Sequence, residues 1–191
     1  MNQLRRKIVR KRILLPLFLI VLVLVLFNTR WLAWIYPIEF KEEIRAHASA
    51  YQVDPFLIAS IIRVETNFQP SMESKKGALG VMQLMPDTAQ WAMDKAHLAN
   101  VSMETIKHDA DPNIEIGTWY LGNLMQQFDG NEVAVIAAYN AGPSKVKSWL
   151  SSGKWDGTLD HVKDIPYGET RHYVQRVLYY YKQYTKLYDA F

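Results

Sequence analysis

Residues 13–27 read Ile-Leu-Leu-Pro-Leu-Phe-Leu-Ile-Val-Leu-Val-Leu-Val-Leu-Phe, and fourteen of these fifteen are Leu, Ile, Val or Phe. A helix made from them is apolar on every side, so it has no polar face to turn toward water. On an insertion scale that favours such residues by about 0.3–0.6 kcal/mol each, the run is worth roughly 4–8 kcal/mol toward a bilayer. The uncharged stretch continues to Thr29, and its seventeen residues would make a helix of about 26 Å, close to a hydrocarbon core. Arg5, Arg6, Lys7, Arg10, Lys11 and Arg12 precede it with no acid among them, and Trp31, Trp34 and Tyr36 follow it. Basic residues stay cytoplasmic and aromatic residues collect at membrane interfaces. The pattern predicts a cytoplasmic tail over 1–12, a transmembrane signal anchor over 13–36 and an extracytoplasmic domain over 39–191. A cleaved signal peptide needs small residues behind its apolar core, and Asn28-Thr-Arg-Trp-Leu-Ala33 offers no good site. An uncleaved anchor on the cell membrane is therefore expected.

The basic cluster also explains the charge. Taking its six cations from the formal net charge of +3 leaves −3 for everything after residue 12. The folded part thus gives no electrostatic reason to expect a nucleic-acid partner. There is no cysteine, which removes disulfides, thiolate nucleophiles and cysteine-based zinc sites.

Beyond Glu39 the apolar spacing is helical. Phe40, Ile44, Ala48 and Tyr51 recur at steps of four and three, predicting a helix over roughly 39–51. Asp54-Pro55 reads as an N-cap followed by proline in the first turn, so a second helix starts there. Further helical stretches fall around Ile114–Phe128, Val133–Tyr139, Val146–Leu150 and Tyr173–Tyr188, separated by Asp129-Gly-Asn131, Ala141-Gly-Pro143 and the glycines at 153 and 157. The short run Gly77–Met85 fits a small hairpin or a loop equally well. The fold class expected is mainly α, as one domain behind the anchor.

Several chemistries are excluded by pattern. No His-Glu-x-x-His occurs, and the histidines at 47, 97, 108, 161 and 172 lack ligand spacing. No Gly-x-Ser-x-Gly elbow, phosphate-binding loop or dinucleotide glycine set is present. No cofactor or metal is expected. Glu65 stands out instead. Phe56, Leu57, Ile58, Ile61 and Ile62 form the apolar stripe of the second helix, and steps of four from Ile61 and three from Ile62 both reach position 65. A carboxyl held against an apolar surround is desolvated, which raises its pKa and makes it a general acid. A glutamate at a helix end also fits a half-exposed surface position, and spacing leaves both readings standing. Within twenty residues come Gly77 and Gly80, then Met82, Gln83 and Met85, which offer tight backbone, an amide and pliable apolar surface. Tyr139 and Asn140 sit just before Gly142. Aromatic and amide groups suit sugars, although Tyr139 fits a core position as well as a ligand contact.

Taken together, the motifs are more specific. Tyr51-x-Val-Asp-Pro55, Arg63-x-Glu65, Phe68-x-Pro70, Ser74-x-x-Gly-Ala-x-Gly-Val-Met-Gln83, Met85-Pro86, Ala138-Tyr-Asn-Ala-Gly142 and Ile165-Pro-Tyr-Gly-Glu-Thr-Arg-His-Tyr-Val174 closely resemble the soluble lytic transglycosylase family. The resemblance runs from about residue 40 to 185 and implies a goose-type lysozyme-like fold. It implies cleavage of the β-1,4 bond between N-acetylmuramic acid and N-acetylglucosamine in peptidoglycan glycan strands, leaving 1,6-anhydromuramoyl ends. By that resemblance Glu65 is the acid and then the base, while Ser74, Met82, Gln83, Met85, Tyr139, Asn140 and Glu169 map onto cleft positions. Glu169 is expected to be partly structural, pairing with Arg171. Glu73 and Asp87 read as surface residues rather than a second catalytic carboxylate.

Three departures from the family are visible: Thr66 where serine is usual, Met72 where alanine is common, and Lys75-Lys76 in place of small residues. Thr66 keeps the hydroxyl, so little changes there; Met72 and Lys75-Lys76 bear on which peptide stems are tolerated and not on the chemistry. Two other readings stay open at this level: a muramidase on the same fold that lets water attack, and a non-catalytic peptidoglycan-binding protein.

Overall fold

The computed structural model describes residues 14–25, 33–98 and 101–189. The chain divides into two compact units at Pro37 and Ile38. In the first, residues 14–25 form one helix, α1. Its large apolar side chains are 39–63% exposed on all sides, as expected of a sequence with no polar face. At twelve residues it measures about 18 Å. No described helix is long and apolar enough to cross a membrane. Residues 13 and 26–32 of the expected anchor, and the basic tail over 1–12, lie outside the described residues.

The second unit is mainly helical. Its helices are α2 (Lys41–Tyr51), α3 (Pro55–Glu65), α4 (Pro86–Ala96), α5 (Met103–His108), α6 (Ala110–Gln127), α7 (Glu132–Ala141), α8 (Pro143–Ser151) and α9 (Gly168–Leu187). Asp54 begins α3 as its composition predicts: its carboxylate accepts the Phe56 N–H at 2.7 Å, with Pro55 in the first turn. Tyr181 of α9 donates to the other oxygen of Asp54 at 2.7 Å. α3 is more deeply placed than an amphipathic stripe requires. Every residue from Leu57 to Ile62 is buried, and α3 packs along α9 more extensively than any other helix pair touches. Fully burying each large aliphatic side chain is worth about 1.5–3 kcal/mol, so this helix anchors the core.

α4 and α5 have no counterpart among the sequence-based helices. Both bury little: Ala89, Ala92 and Met93 from α4, and Ile106 alone from α5. A stripe of alanines gives a weak periodic signal, although Pro86 at the first position and Asp87 in the first turn are ordinary start signals.

The ambiguous segment is a loop with two isolated antiparallel bridges, Glu73 with Leu79 and Leu79 with Leu84. Ser74 shapes its first turn, its Oγ accepting the N–H groups of Lys76 at 3.2 Å and Ala78 at 3.0 Å. The loop is held from below by Asn113 of α6, a fully buried residue. Its amide nitrogen donates to the carbonyls of Leu79 and Ile106, both at 3.0 Å, and its oxygen accepts the Met82 N–H at 2.8 Å. Gly80, at φ +70°, passes so close that a Cβ would overlap the Asn113 amide and lie 2.5 Å from the Ile106 carbonyl. Among the described residues no longer strand forms.

Replacing Asn113 by alanine strands those three backbone groups away from water. Each buried unsatisfied group costs about 1–3 kcal/mol, with partial relief by relaxation. Chemical denaturation of Asn113→Ala is expected to show a loss of about 3 kcal/mol or more. A loss below about 1 kcal/mol would show that the loop is held by something else.

Candidate active site

Glu65 closes α3. The next residue, Thr66, is buried, and its hydroxyl donates to the Val81 carbonyl at 2.8 Å, fastening the helix end to the loop. α9 supplies Tyr173, whose hydroxyl donates to Glu65 Oε1 at 2.7 Å. Burial of the carboxyl raises its pKa from 4.5 to about 7 because the charged form loses water. The Tyr173 hydrogen bond and the Arg176 guanidinium pull the other way, and the Glu169 charge adds a further push upward. Glu65 is thus a carboxylic acid that keeps a large protonated fraction at neutral pH. The phenols of Tyr173 and Tyr139 are themselves raised well above 10, mainly by burial and then by Glu65. They surround the acid as neutral groups.

Around Glu65 lies a cleft of about 340 Å³ lined by residues of α3, the 72–85 loop, α7 and the start of α9. Ser74, Gln83, Met85, Tyr139, Asn140 and Glu169 all reach it, so the structure brings together six of the seven substrate contacts expected from sequence. Met85 is 44% exposed at the head of α4. Tyr139 donates to the Met82 carbonyl at 2.9 Å, tying α7 to the loop, and its ring packs 5.6 Å from that of Tyr120. Gln83 adopts a left-handed backbone, φ +51°, and its amide nitrogen donates to the carbonyls of Gly80 at 2.8 Å and Met72 at 3.2 Å. Asn140 is positioned by Thr170, whose hydroxyl donates to its amide oxygen at 2.8 Å.

Two expectations are corrected. The Met82 side chain does not reach the cleft: it is fully buried and packs where Gly117 of α6 leaves room, a Cβ there overlapping its sulfur. Met82 meets the site only through its backbone carbonyl. Glu169 is not paired with Arg171, whose guanidinium donates to the Ile165 carbonyl at 2.7 Å. Glu169 instead faces Lys76 Nζ at 3.6 Å.

Spacing missed the residues that act from afar. Tyr173 is 108 positions from Glu65, and no local periodicity links the two. Arg176, whose guanidinium reaches the Val64 carbonyl at 3.4 Å, is equally remote in sequence. Lys75 and Lys76 stand out in the sequence only as departures from a family pattern, yet both line the cleft. Among the described residues no group of three or more His, Asp or Glu is placed to hold a metal ion.

Comparison with known proteins decides the family. Residues 42–162 match the model of the family described as the transglycosylase SLT domain. The chain belongs to that family. The SLT domain is 36% identical over 147 residues to the soluble lytic murein transglycosylase of Escherichia coli K12, an alignment covering 76% of this chain and 23% of that protein. The crystal structure of the 70-kDa soluble lytic transglycosylase SLT70 of Escherichia coli superposes with a TM-score of 0.74 at 33% identity, covering 81% of this chain and 26% of that one. The fold is therefore the lysozyme-like fold of that enzyme's SLT domain. A membrane-bound lytic murein transglycosylase C of Actinobacillus pleuropneumoniae is 27% identical over 164 residues, covering 70% of this chain and 42% of that protein. The chain spans about a quarter of the length of the first two relatives.

The raised pKa of Glu65 has a measurable cost. A carboxyl whose folded pKa of about 7 exceeds its ordinary 4.5 costs nothing below the lower value. The folded state loses stability as pH rises between the two, and the full cost applies above the upper. Glu65→Gln removes the titration and keeps an acceptor for Tyr173. It is expected to leave stability unchanged at pH 4 and to raise it by about 3 kcal/mol at pH 8. Denaturant midpoints at the two pH values read this directly; equal shifts at both would mean that the carboxyl is not desolvated.

Proposed function

We propose that this SLT domain is a lytic transglycosylase that cleaves peptidoglycan at the β-1,4 bond between N-acetylmuramic acid and N-acetylglucosamine. The observation that carries the reading is the buried Glu65 carboxyl, bonded by Tyr173 in a cleft lined with amides, hydroxyls and Met85, where burial pushes its pKa up to about 7. A glycosidic leaving group needs a proton donor that is still loaded near neutral pH, and this carboxyl meets that demand. The family and the name of the Escherichia coli relative point the same way.

In the proposed reaction Glu65 delivers its proton to the glycosidic oxygen as the bond to the muramic anomeric carbon breaks. The N-acetylglucosamine side leaves as an alcohol. The Glu65 carboxylate then takes the proton of the muramic C6 hydroxyl, whose oxygen bonds to the anomeric carbon and closes the 1,6-anhydro ring. The acid is regenerated and no water is consumed. One residue serves as acid and base, and the fit of a pKa near neutrality to both duties supports this assignment.

The second reading is hydrolysis on the same scaffold, and it has one observation in its favour. Glu169 lines the same cleft and would complete the carboxylate pair that ordinary glycosidases use. Its side chain is 72% exposed and set against Lys76, so no packing holds it in a position to direct a water, and the lytic reading stays ahead. Mass spectrometry of products from purified sacculi separates the two: ends lighter by one water support the lytic reaction, and hydrated ends support the muramidase. Glu65→Gln is expected to lower turnover by about three orders of magnitude or more while still binding sacculi. In the wild type, kcat/KM is expected to fall with rising pH above about 7, as Glu65 loses its proton.

The finer localisation belongs to the same proposal. Residues 13–36 anchor the domain as a single pass with the N-terminus cytoplasmic and the domain outside, a reading supported by the all-round apolar surface of α1 and the acid-free basic cluster before it. Full-length protein should stay with membranes through alkaline carbonate washing, and a variant lacking residues 13–27 should not. Release of both in the same wash would remove the anchor.

A further inference from the structure

The rim of the cleft carries two adjacent cations that the proposed chemistry does not use. Lys75 and Lys76 sit on the Ser74 turn and line the same space as Glu65. They belong to a part of the chain whose net charge is −3, so their pairing at this mouth is not a general feature of the surface. Lys76 faces Glu169 across the mouth at 3.6 Å, with side chains 78% and 72% exposed.

Holding the loop in place does not require that ion pair. Exposed pairs contribute little and are screened by salt. The loop is already fixed by two Asn113 bonds, by Thr66 on the Val81 carbonyl and by Gln83 on the carbonyls of Gly80 and Met72. Lys76 can therefore exchange one carboxylate partner for another without disturbing the wall of the cleft. Its ammonium is a compact charge on a flexible stem, suited to such an exchange.

The substrate offers one kind of partner. The N-acetylated sugar rings of the glycan carry no charge, and the anionic groups of peptidoglycan lie on the peptide attached to the lactyl group of muramic acid. We propose that Lys75 and Lys76 are specificity-determining residues that bind a carboxylate of this acidic peptide, Lys76 leaving Glu169 to do so. The inference rests on the proposed function. It also links recognition to the acid. Glu169 already pushes Glu65 upward, and drawing Lys76 away leaves that negative charge less compensated, which favours the proton on Glu65 while a peptide-bearing strand is bound.

The test compares two substrates and includes a readout that does not depend on turnover. Wild type and a Lys75→Ala/Lys76→Ala variant are assayed on glycan strands carrying their peptides and on strands stripped by an amidase whose freed lactyl carboxylates are then capped as amides. The variant is expected to lose about tenfold more on peptide-bearing strands than on stripped ones, through KM rather than kcat, with the excess shrinking at high salt. Equal losses on the two substrates overturn the proposal. In the second arm, Glu65→Gln protein with both lysines intact is titrated with a soluble disaccharide–tetrapeptide and with the same compound after amidation of its carboxylates. Weaker binding of the amidated form is expected, and equal binding overturns the proposal. If the wild type cleaves neither strand, the function proposed above fails, and the binding arm still decides the role of the lysines.

Discussion

One buried amide fixes the geometry on which the cleft depends. Asn113 can use one acceptor and two donors, and it uses all three on backbone groups of the 79–82 segment and of Ile106. A side chain that satisfied only some of them would leave polar groups stranded in the core. Through these bonds a loop without regular structure is fastened to α6. Everything the loop presents, from the Ser74 turn to the Gln83 amide and Met85, inherits its position from that anchor. Tyr139 then bridges the other wall to the same segment through the Met82 carbonyl.

Against this wall the electrostatics of Glu65 follow from position alone. α3 is the central helix, so its last carboxyl emerges at the edge of the core rather than on the surface. Desolvation raises the pKa, and Tyr173 and Arg176 limit the rise. The result is an acid poised near neutrality, neither locked in its protonated form nor fully ionised. Placing neutral phenols beside it orients the carboxyl without supplying a full counter-charge. A cation in direct contact would have driven the pKa down and removed the general acid.

Much of this was legible in the sequence, and the limits have physical causes. The Asp54-Pro55 start of α3 and the helices containing Ile114, Val135, Val146 and Val174 follow from capping chemistry and 3.6-residue spacing. α4 and α5 escaped because alanines and a single isoleucine bury too little to mark a face. Glu65 was visible as a carboxyl on the line of an apolar stripe, but spacing gave no sign of Tyr173, since only the packing of α3 on α9 joins residues 108 apart. Met82 shows a different failure. An apolar side chain between a valine and a glutamine fits a sugar platform and a core plug equally well, and the choice lies in Gly117, thirty-five positions away. The exchange of Arg171 for Lys76 as the neighbour of Glu169 has the same origin. Arg171 is near in sequence, yet its guanidinium is taken by the Ile165 carbonyl.

The crowding at Gly80 has a consequence for descent. Its missing Cβ is excluded twice, by the Asn113 amide and by the Ile106 carbonyl of the main chain. A smaller residue at 113 would clear the first obstacle and leave the second, because a backbone oxygen cannot be mutated away. The two positions are therefore unequal partners in evolution. Position 113 has room to drift if other groups take over its hydrogen bonds, whereas a lineage that keeps this loop must keep glycine at 80.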